Sequence, residues 1–286
     1  MSPVISVKNS TQSIQGKLYW DEILAESCRG APLDAWRSYM QQIYRRLLRD
    51  WLPGATSGFG LKTDLFEEAV SPHYLLSDLG QGSVGIDCSP AIVQAACRRL
   101  QVNNPQHLLI VGELRQLPLK AGAIKRVLAG SSLDHFPNKS DITKSLLELA
   151  RVLAPGGTLV ITFDNPHNPV VWLRNLLPFV WLNRLGLVPY YVGKTYTRTE
   201  ARKQLKAVGL TVTDETAVAH APRAPAIWLV MLVERLGWPS LQSLIARFLD
   251  SSERLERWPT RYRTGYYIAL RAQKGRRGDP PCDTSV

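Results

Sequence analysis

Between Ser140 and Phe163 the hydrophobic pattern changes period. Ile142, Leu146, Leu149 and Leu153 recur at the spacing of one helical face, with Ser140 as the N-cap. Pro155-Gly156-Gly157 then supplies a positive-φ turn into Thr158 to Phe163, a β-branched strand. Similar units precede it. Gly58 to Phe66 reads as a first strand and Glu67 to Leu79 as its helix. A second short strand ends at Asp87, and a helix opens behind Ser89 as N-cap with Pro90 in its first position. His107 to Val111 and Ile124 to Ala129 are the third and fourth strands, and Thr158 to Phe163 the fifth. Thr199 to Ala207 reads as a helix, and Leu210 to Thr216 and Tyr266 to Ala272 close the pattern as strands. This alternation predicts an α/β fold around a doubly wound, mostly parallel, seven-stranded sheet.

Two kinds of segment fall outside that rhythm. Tyr39, Met40, Ile43, Leu47 and Trp51 repeat at helical spacing, with arginines elsewhere on the wheel, so residues 1–55 are expected to form an N-terminal helical cap. After the fifth strand, residues 165–194 are dense in Trp, Leu, Tyr and Pro, and residues 225–249 form a second apolar segment. The apolar positions of the first of these surround a helix instead of marking one stripe, so it must pack against core, substrate or lipid, core being the commonest answer. The expected organisation is a cap over 1–55, a body over 56–273 with cap insertions at 165–197 and 220–260, and a disordered tail of Gly, Pro and charge over 274–286.

The chain has 286 residues, 45% of them hydrophobic, enough to bury one full core with length left for a cap. It shows no basic-apolar leader, and no apolar run reaches the roughly 20 residues that span a bilayer, so a cytoplasmic location is expected. Cys28, Cys88, Cys97 and Cys282 lack paired spacing, and no metal is assigned. The net charge of +11 favours anionic partners, and between Glu253 and Arg277 eight bases face only two acids. A solvated basic face accounts for that run, and no nucleic-acid partner is expected.

The segment from Leu146 to Phe163, together with VGIDCSPAIVQAA from Val84 to Ala96, resembles the class I S-adenosylmethionine (SAM) dependent methyltransferases, especially the branch acting on quinones, lipids and other small molecules. The resemblance covers roughly Gly58 to Phe163, and more weakly Tyr196 to Thr216. It implies a Rossmann-like sheet holding SAM across its strand tips. Asp87, ending the second strand, would accept from the ribose diol, the alternative being that it only helps start the helix at Pro90. Glu113 and Leu114, ahead of Leu117-Pro118, would lie beside the adenine, the alternative for Glu113 being a surface turn. The first loop departs from the family. In LKTDLFEEA, Asp64, Phe66 and Glu68 stand where glycines are expected. Either the loop is a variant in which Thr63 and Asp64 contact the cofactor and Asp64 or Glu67 binds the methionine ammonium, or the fold no longer holds SAM. The first reading is favoured because the ribose and adenine positions both keep acids.

The fourth strand ends in AGSSLDHF, where cofactor and acceptor would meet. Ser131 is a cofactor candidate there, and Asp134 and His135 are candidates to orient or deprotonate an acceptor hydroxyl. The bland alternative is a capping Asp and a packed His. His167 and His220 fall in the cap, where either could serve an acceptor instead, although a lone His in a Pro-rich loop is more often structural. Three functions follow. The first is a SAM-dependent methyltransferase acting on a small hydrophobic or amphipathic acceptor, anionic or lipid-like in character, with peripheral membrane contact left open. The second is a non-catalytic binding protein with the same fold, and the third, ranked last, an RNA methyltransferase using the basic C-terminal region.

Overall fold

The computed structural model describes residues 17–27, 33–52, 58–72, 74–103, 107–184, 188 and 190–276. The expectations for residues 1–16 of the cap and 277–286 of the tail lie outside the described residues. Seven strands, β1 (Phe59–Thr63), β2 (Val84–Asp87), β3 (Leu108–Val111), β4 (Ile124–Gly130), β5 (Leu153–Asp164), β6 (Leu210–Val218) and β7 (Tyr267–Lys274), form one sheet in the order β3-β2-β1-β4-β5-β7-β6. The first five run parallel. β7 is antiparallel to both β5 and β6. The Rossmann-like, mostly parallel, seven-stranded expectation therefore holds. The chain steps outward from β1 to β3 and then returns to place β4 on β1's other side, so strand order reverses between β1 and β4.

Eleven described helices accompany the sheet: α1 (Lys17–Ser27), α2 (Asp34–Trp51), α3 (Phe66–Val70), α4 (Pro90–Asn103), α5 (Lys139–Val152), α6 (Pro169–Leu176), α7 (Phe179–Arg184), α8 (Arg198–Ala207), α9 (Arg223–Leu236), α10 (Pro239–Ser252) and α11 (Arg261–Thr264). Strand residues alternate between two buried layers, as a period of two demands. Val127, Ala129, Leu159 and Ile161 join Leu146 and Leu149 of α5 and Leu205 of α8. Leu128, Val160 and Ala269 join Tyr39, Ile43 and Leu47 of α2, Val230 of α9 and Leu249 of α10. Helix α2 is thus a layer against the sheet. A third cluster joins Leu24 of α1 to Leu65, Ala69 of α3 and Ile92 and Ala96 of α4.

Several local expectations change. The helix expected over Glu67 to Leu79 is two pieces, α3 and a 3-10 turn at Leu76–Leu79, because Ser71 ahead of Pro72 is extended at φ −137, ψ 152. Ser140 is not the N-cap of α5. That helix starts at Lys139, directly behind an extended Asn138 whose backbone carbonyl accepts from Asp141, so Ser140 falls inside its first turn. Pro155-Gly156-Gly157 is not a helix-to-strand turn either. Leu153, fully buried, is already extended and pairs with Ile124, so the three residues lie within β5, where the register with β4 shifts. Gly156 takes φ 71, and a Cβ on Gly157 would stand 2.8 Å from the Ala154 carbonyl oxygen. The last two strands run longer than expected. Lys274, placed in the tail on sequence grounds, ends β7, and its Nζ donates to the carbonyls of Ala150 (2.6 Å) and Leu153 (2.9 Å).

Candidate active site

The strand-order reversal opens between the tips of β1 and β4, where a doubly wound sheet binds its ligand. Buried Thr63 ends β1, and its Oγ1 lies 2.7 Å from the Ser132 hydroxyl at the β4 tip. Asp64 follows at φ 72, the left-handed conformation usually left to glycine. Its short side chain tolerates this by accepting from the Phe66 amide through Oδ1 at 2.7 Å. Its own N–H donates to Ile86 O of β2 at 2.9 Å. The other two residues at expected glycine positions serve the loop in another way. Phe66 packs on the α1, α3 and α4 cluster. Glu68 is fully buried, accepting from Lys62 Nζ at 2.8 Å and from the Leu75 amide at 3.1 Å. Lys62 Nζ also donates to the Asp64 carbonyl at 2.5 Å. A buried ion pair shapes the loop where the resemblance implies glycine.

Asp87, at the tip of β2, accepts from the Leu65 amide through Oδ2 and from the Ser89 amide through Oδ1, both at 2.9 Å. It therefore fastens the first loop to the start of α4, and each oxygen keeps a lone pair for a ligand. Ser89 is the N-cap expected of it, accepting from Ile92 at 3.0 Å, and its hydroxyl donates to Asp21 of α1. Burial, with the like charge of Asp64 adding to it, pushes the Asp87 carboxyl up to about 7. Glu67 keeps a half-exposed side chain, yet its Oε2 is buried without a hydrogen-bond partner, the Arg37 guanidinium standing 4.0 Å away. Loss of solvent raises its carboxyl to about 7 as well. Four acids, Asp64, Glu67, Glu68 and Asp87, thus gather around Lys62. Desolvated acids and an orphaned carboxylate oxygen fit a ligand that brings a cation and hydroxyls, as the ammonium and ribose of SAM would.

The remaining candidates lie further around the tips. Ser131, at φ 50, donates its amide to Thr162 Oγ1 at 2.9 Å. Glu113 follows β3, two strands from Asp64. Its carboxylate is held by Arg115 Nε (3.2 Å) and Nη2 (3.0 Å), so the surface-turn alternative describes its present contacts. Leu114 is half-buried against the main core. Asp134 and His135 share the 3-10 turn Leu133–His135 but face different surroundings. Asp134 is fully buried, its Oδ2 accepts from the Asp164 amide at 2.9 Å, and burial raises its carboxyl well above the usual range, with the Asp164 charge adding. His135 Nδ1 lies 3.2 Å from the Tyr191 carbonyl, which can only accept, so the proton sits on Nδ1 and Nε2 is left as a base. Burial lowers its pKa and keeps the ring neutral. Trp20 of α1 and Tyr190 pack edge-on against it at centroid distances of 4.8 and 5.6 Å.

A group of residues not selected from the sequence completes the surroundings. Arg174 pairs with Asp164 at 2.5 Å and donates to the Tyr266 hydroxyl at 2.9 Å. Arg223 donates to the hydroxyls of Tyr267 (3.0 Å) and Tyr190 (2.9 Å) and lies 5.0 Å over the Tyr266 ring, with no carboxylate in ion-pair contact among the described residues. It lines a cavity of about 220 Å³ with Arg263, His220, Asn168, Thr264 and Tyr266, and no acid is in the lining. His220 has both ring nitrogens engaged, by Thr264 Oγ1 (2.8 Å) and the Ala217 carbonyl (2.9 Å), in keeping with a structural role. The available signal was an arginine between Pro222 and Pro225, just ahead of the apolar run from Ala226 to Val233.

Residues 69–161 match the family described as Methyltransferase domain. An uncharacterized 37.1 kDa protein in transposon TN4556 of Streptomyces fradiae is 35% identical over 136 residues, covering 46% of this chain and 36% of that protein. Demethylmenaquinone methyltransferase of Thermus thermophilus is 32% identical over 108 residues, 35% of this chain and 48% of its own length. The chain therefore spans less than half of either relative. Among solved structures, geranyl diphosphate C-methyltransferase from Streptomyces coelicolor A3(2) aligns with TM-score 0.51 and 13% identity over 82% of this chain and 79% of its own. Haemonchus contortus phosphoethanolamine N-methyltransferase 2, in complex with S-adenosyl-L-methionine, aligns with TM-score 0.53 and 16% identity over 81% of this chain and 52% of its own. At those identities the likeness is one of fold. Residues 69–161 thus match a methyltransferase domain, and they are set in a mixed seven-stranded sheet whose Rossmann-like fold is that of solved methyltransferases.

Proposed function

We propose that the protein transfers a methyl group from SAM to a small hydrophobic or amphipathic acceptor that carries an anionic group. The observation that carries this reading is the acid cluster at the strand-order reversal, with a neutral histidine at the neighbouring β4 tip. When bound, SAM supplies an electrophilic methyl on a sulfonium centre. Asp87 would accept from the ribose hydroxyls, and Asp64 with the orphaned Glu67 Oε2 would hold the ammonium group. Thr63 and Ser131 line the same reversal, while Glu113 and Leu114 mark its adenine end. His135 Nε2 is the atom to take a proton from an acceptor hydroxyl, Tyr191 fixing its tautomer. Asp134 serves as a positioning residue, tying the β4 tip to β5 through Asp164. Trp20 and Tyr190 exclude water beside His135, which favours an in-line transfer governed by alignment.

For the acceptor, the acid-free cavity at Arg223 and Arg263 suits an oxyanion such as a phosphate or carboxylate. Tyr190 links the two subsites, its hydroxyl on Arg223 and its ring against His135. The names of two structural neighbours, with geranyl diphosphate and phosphoethanolamine, belong to the same acceptor chemistry. The alternative of a non-catalytic binding protein draws on the backbone amides that occupy Asp87. Calorimetric titration with S-adenosylhomocysteine decides between them. Saturable binding by folded protein is expected, and its absence would defeat the methyltransferase reading.

A further inference from the structure

Large apolar side chains on a soluble surface are normally scattered singly. Here they gather on the cap helices. Trp172 of α6, Trp181 of α7, Trp228 of α9, Trp238 between α9 and α10, and Trp258 beyond α10 are 59%, 64%, 66%, 58% and 61% exposed. Leucines extend the stripes at helical spacing: exposed Leu176 follows Trp172, and exposed Leu232 and Leu236 follow Trp228. Helices α6 and α9 leave the same end of the sheet, because they follow β5 and β6, both antiparallel to β7. Both helices reach Tyr266, whose hydroxyl accepts from Arg174 of α6 and whose ring lies under Arg223 of α9.

The exposed charge on these segments is overwhelmingly positive. Arg184, Arg235, Arg247, Arg254, Arg257 and Arg263 are exposed, whereas Asp250 is the one exposed acid among the described residues of α6, α7 and the run from α9 to α11. The other acids there are engaged inward. Glu253 and Glu256 pair with Arg46 at 3.4 and 2.6 Å, and Glu234 accepts from the Ala35 amide at 3.0 Å. Tryptophan and arginine suit the boundary of an anionic bilayer, where an amphipathic ring meets both acyl chain and headgroup. No described helix is long and apolar enough to cross a membrane, so the contact is peripheral.

We propose that α6, α7, α9 and α10 form a face that docks on a bilayer rich in anionic headgroups. The claim goes beyond the acceptor reading and does not depend on methyl transfer. Sedimentation of the full chain with vesicles of phosphatidylcholine alone, or mixed with phosphatidylglycerol, tests it. Binding is expected to the mixed vesicles only, and to weaken as salt rises. Each arginine removed from an anionic surface lowers partitioning about fivefold, so Arg247→Gln with Arg254→Gln is expected to cut it about 25-fold. Trp172→Glu and Trp228→Glu, at exposed positions, should each abolish most binding while far-ultraviolet circular dichroism stays unchanged. No association with mixed vesicles would overturn the proposal, as would equal, salt-independent binding to both vesicle types. A chain that instead pairs with a second copy through Trp228, seen by light scattering, while ignoring vesicles would also overturn it. S-adenosylhomocysteine affinity, measured alongside, reports separately on the methyltransferase reading.

Discussion

Asp87 carries two duties at one carboxylate. It fastens the first loop through Leu65 and the start of α4 through Ser89, and it offers its remaining lone pairs to a ligand. Asp87→Ala is therefore expected to weaken S-adenosylhomocysteine binding by about 1 to 3 kcal/mol, the scale of hydrogen bonds to a charged group, as read by calorimetry. His135 differs because its base nitrogen takes no part in holding the turn. With an oxygen acceptor, His135→Ala should lower kcat by about 100-fold or more with S-adenosylhomocysteine affinity unchanged, a split that steady-state kinetics and titration reveal together. An unaltered kcat would remove His135 from the chemistry.

At the scale of elements, the segment carrying Tyr190 and Tyr191 is held against the 3-10 turn at Leu133–His135 by backbone contact. Gly193 donates to the Asp134 carbonyl at 2.6 Å, and Lys194 donates to the Phe136 carbonyl at 2.8 Å. A Cβ on Gly193 would fall 2.1 Å from the Phe136 carbonyl oxygen, so only glycine permits that approach. Gly193→Ala is expected to lift the segment, freeing Nδ1 of His135 from Tyr191. The measurable results are a raised KM for the acceptor, a histidine nitrogen shift in NMR, and stability lower by about 1 to 3 kcal/mol in urea unfolding. In the sequence Gly193 is one residue of an apolar insertion with nothing to mark it, because close approach between segments this far apart along the chain is invisible to periodicity.

For the whole molecule, the acid cluster links ligand binding to pH. Asp87 and Glu67 stand at about 7, raised by burial above their ordinary carboxylate values. The folded chain then holds protons that the unfolded chain has lost, so this contribution to stability is full at acid pH and declines as pH climbs through about 7. A cationic ligand favours the ionised carboxylates and reverses that preference. SAM is accordingly expected to bind more tightly above pH 7 than below it, releasing protons, which calorimetry in buffers of different ionisation enthalpy detects. Affinity that stays flat or falls with rising pH would separate these acids from the ammonium site.

The alternation of helical and strand periods, the Ser89 cap and the apolar faces of α2 and α5 were legible in the chain itself, because each depends on neighbours within a turn or a strand. So was the alternative given for Asp87, help in starting the helix at Pro90, since its carboxylate accepts from the Ser89 amide directly ahead of that helix. Only the folded chain decided that Asp64 takes a glycine's conformation and that Lys62 and Glu68 brace the loop, because both follow from burial. Tertiary structure also decided that Pro155-Gly156-Gly157 lies within a strand, since the core claims Leu153. The joining of Arg223, Tyr190 and His135 belongs there too: contacts between residues remote along the chain are made by packing, and no local spacing records them.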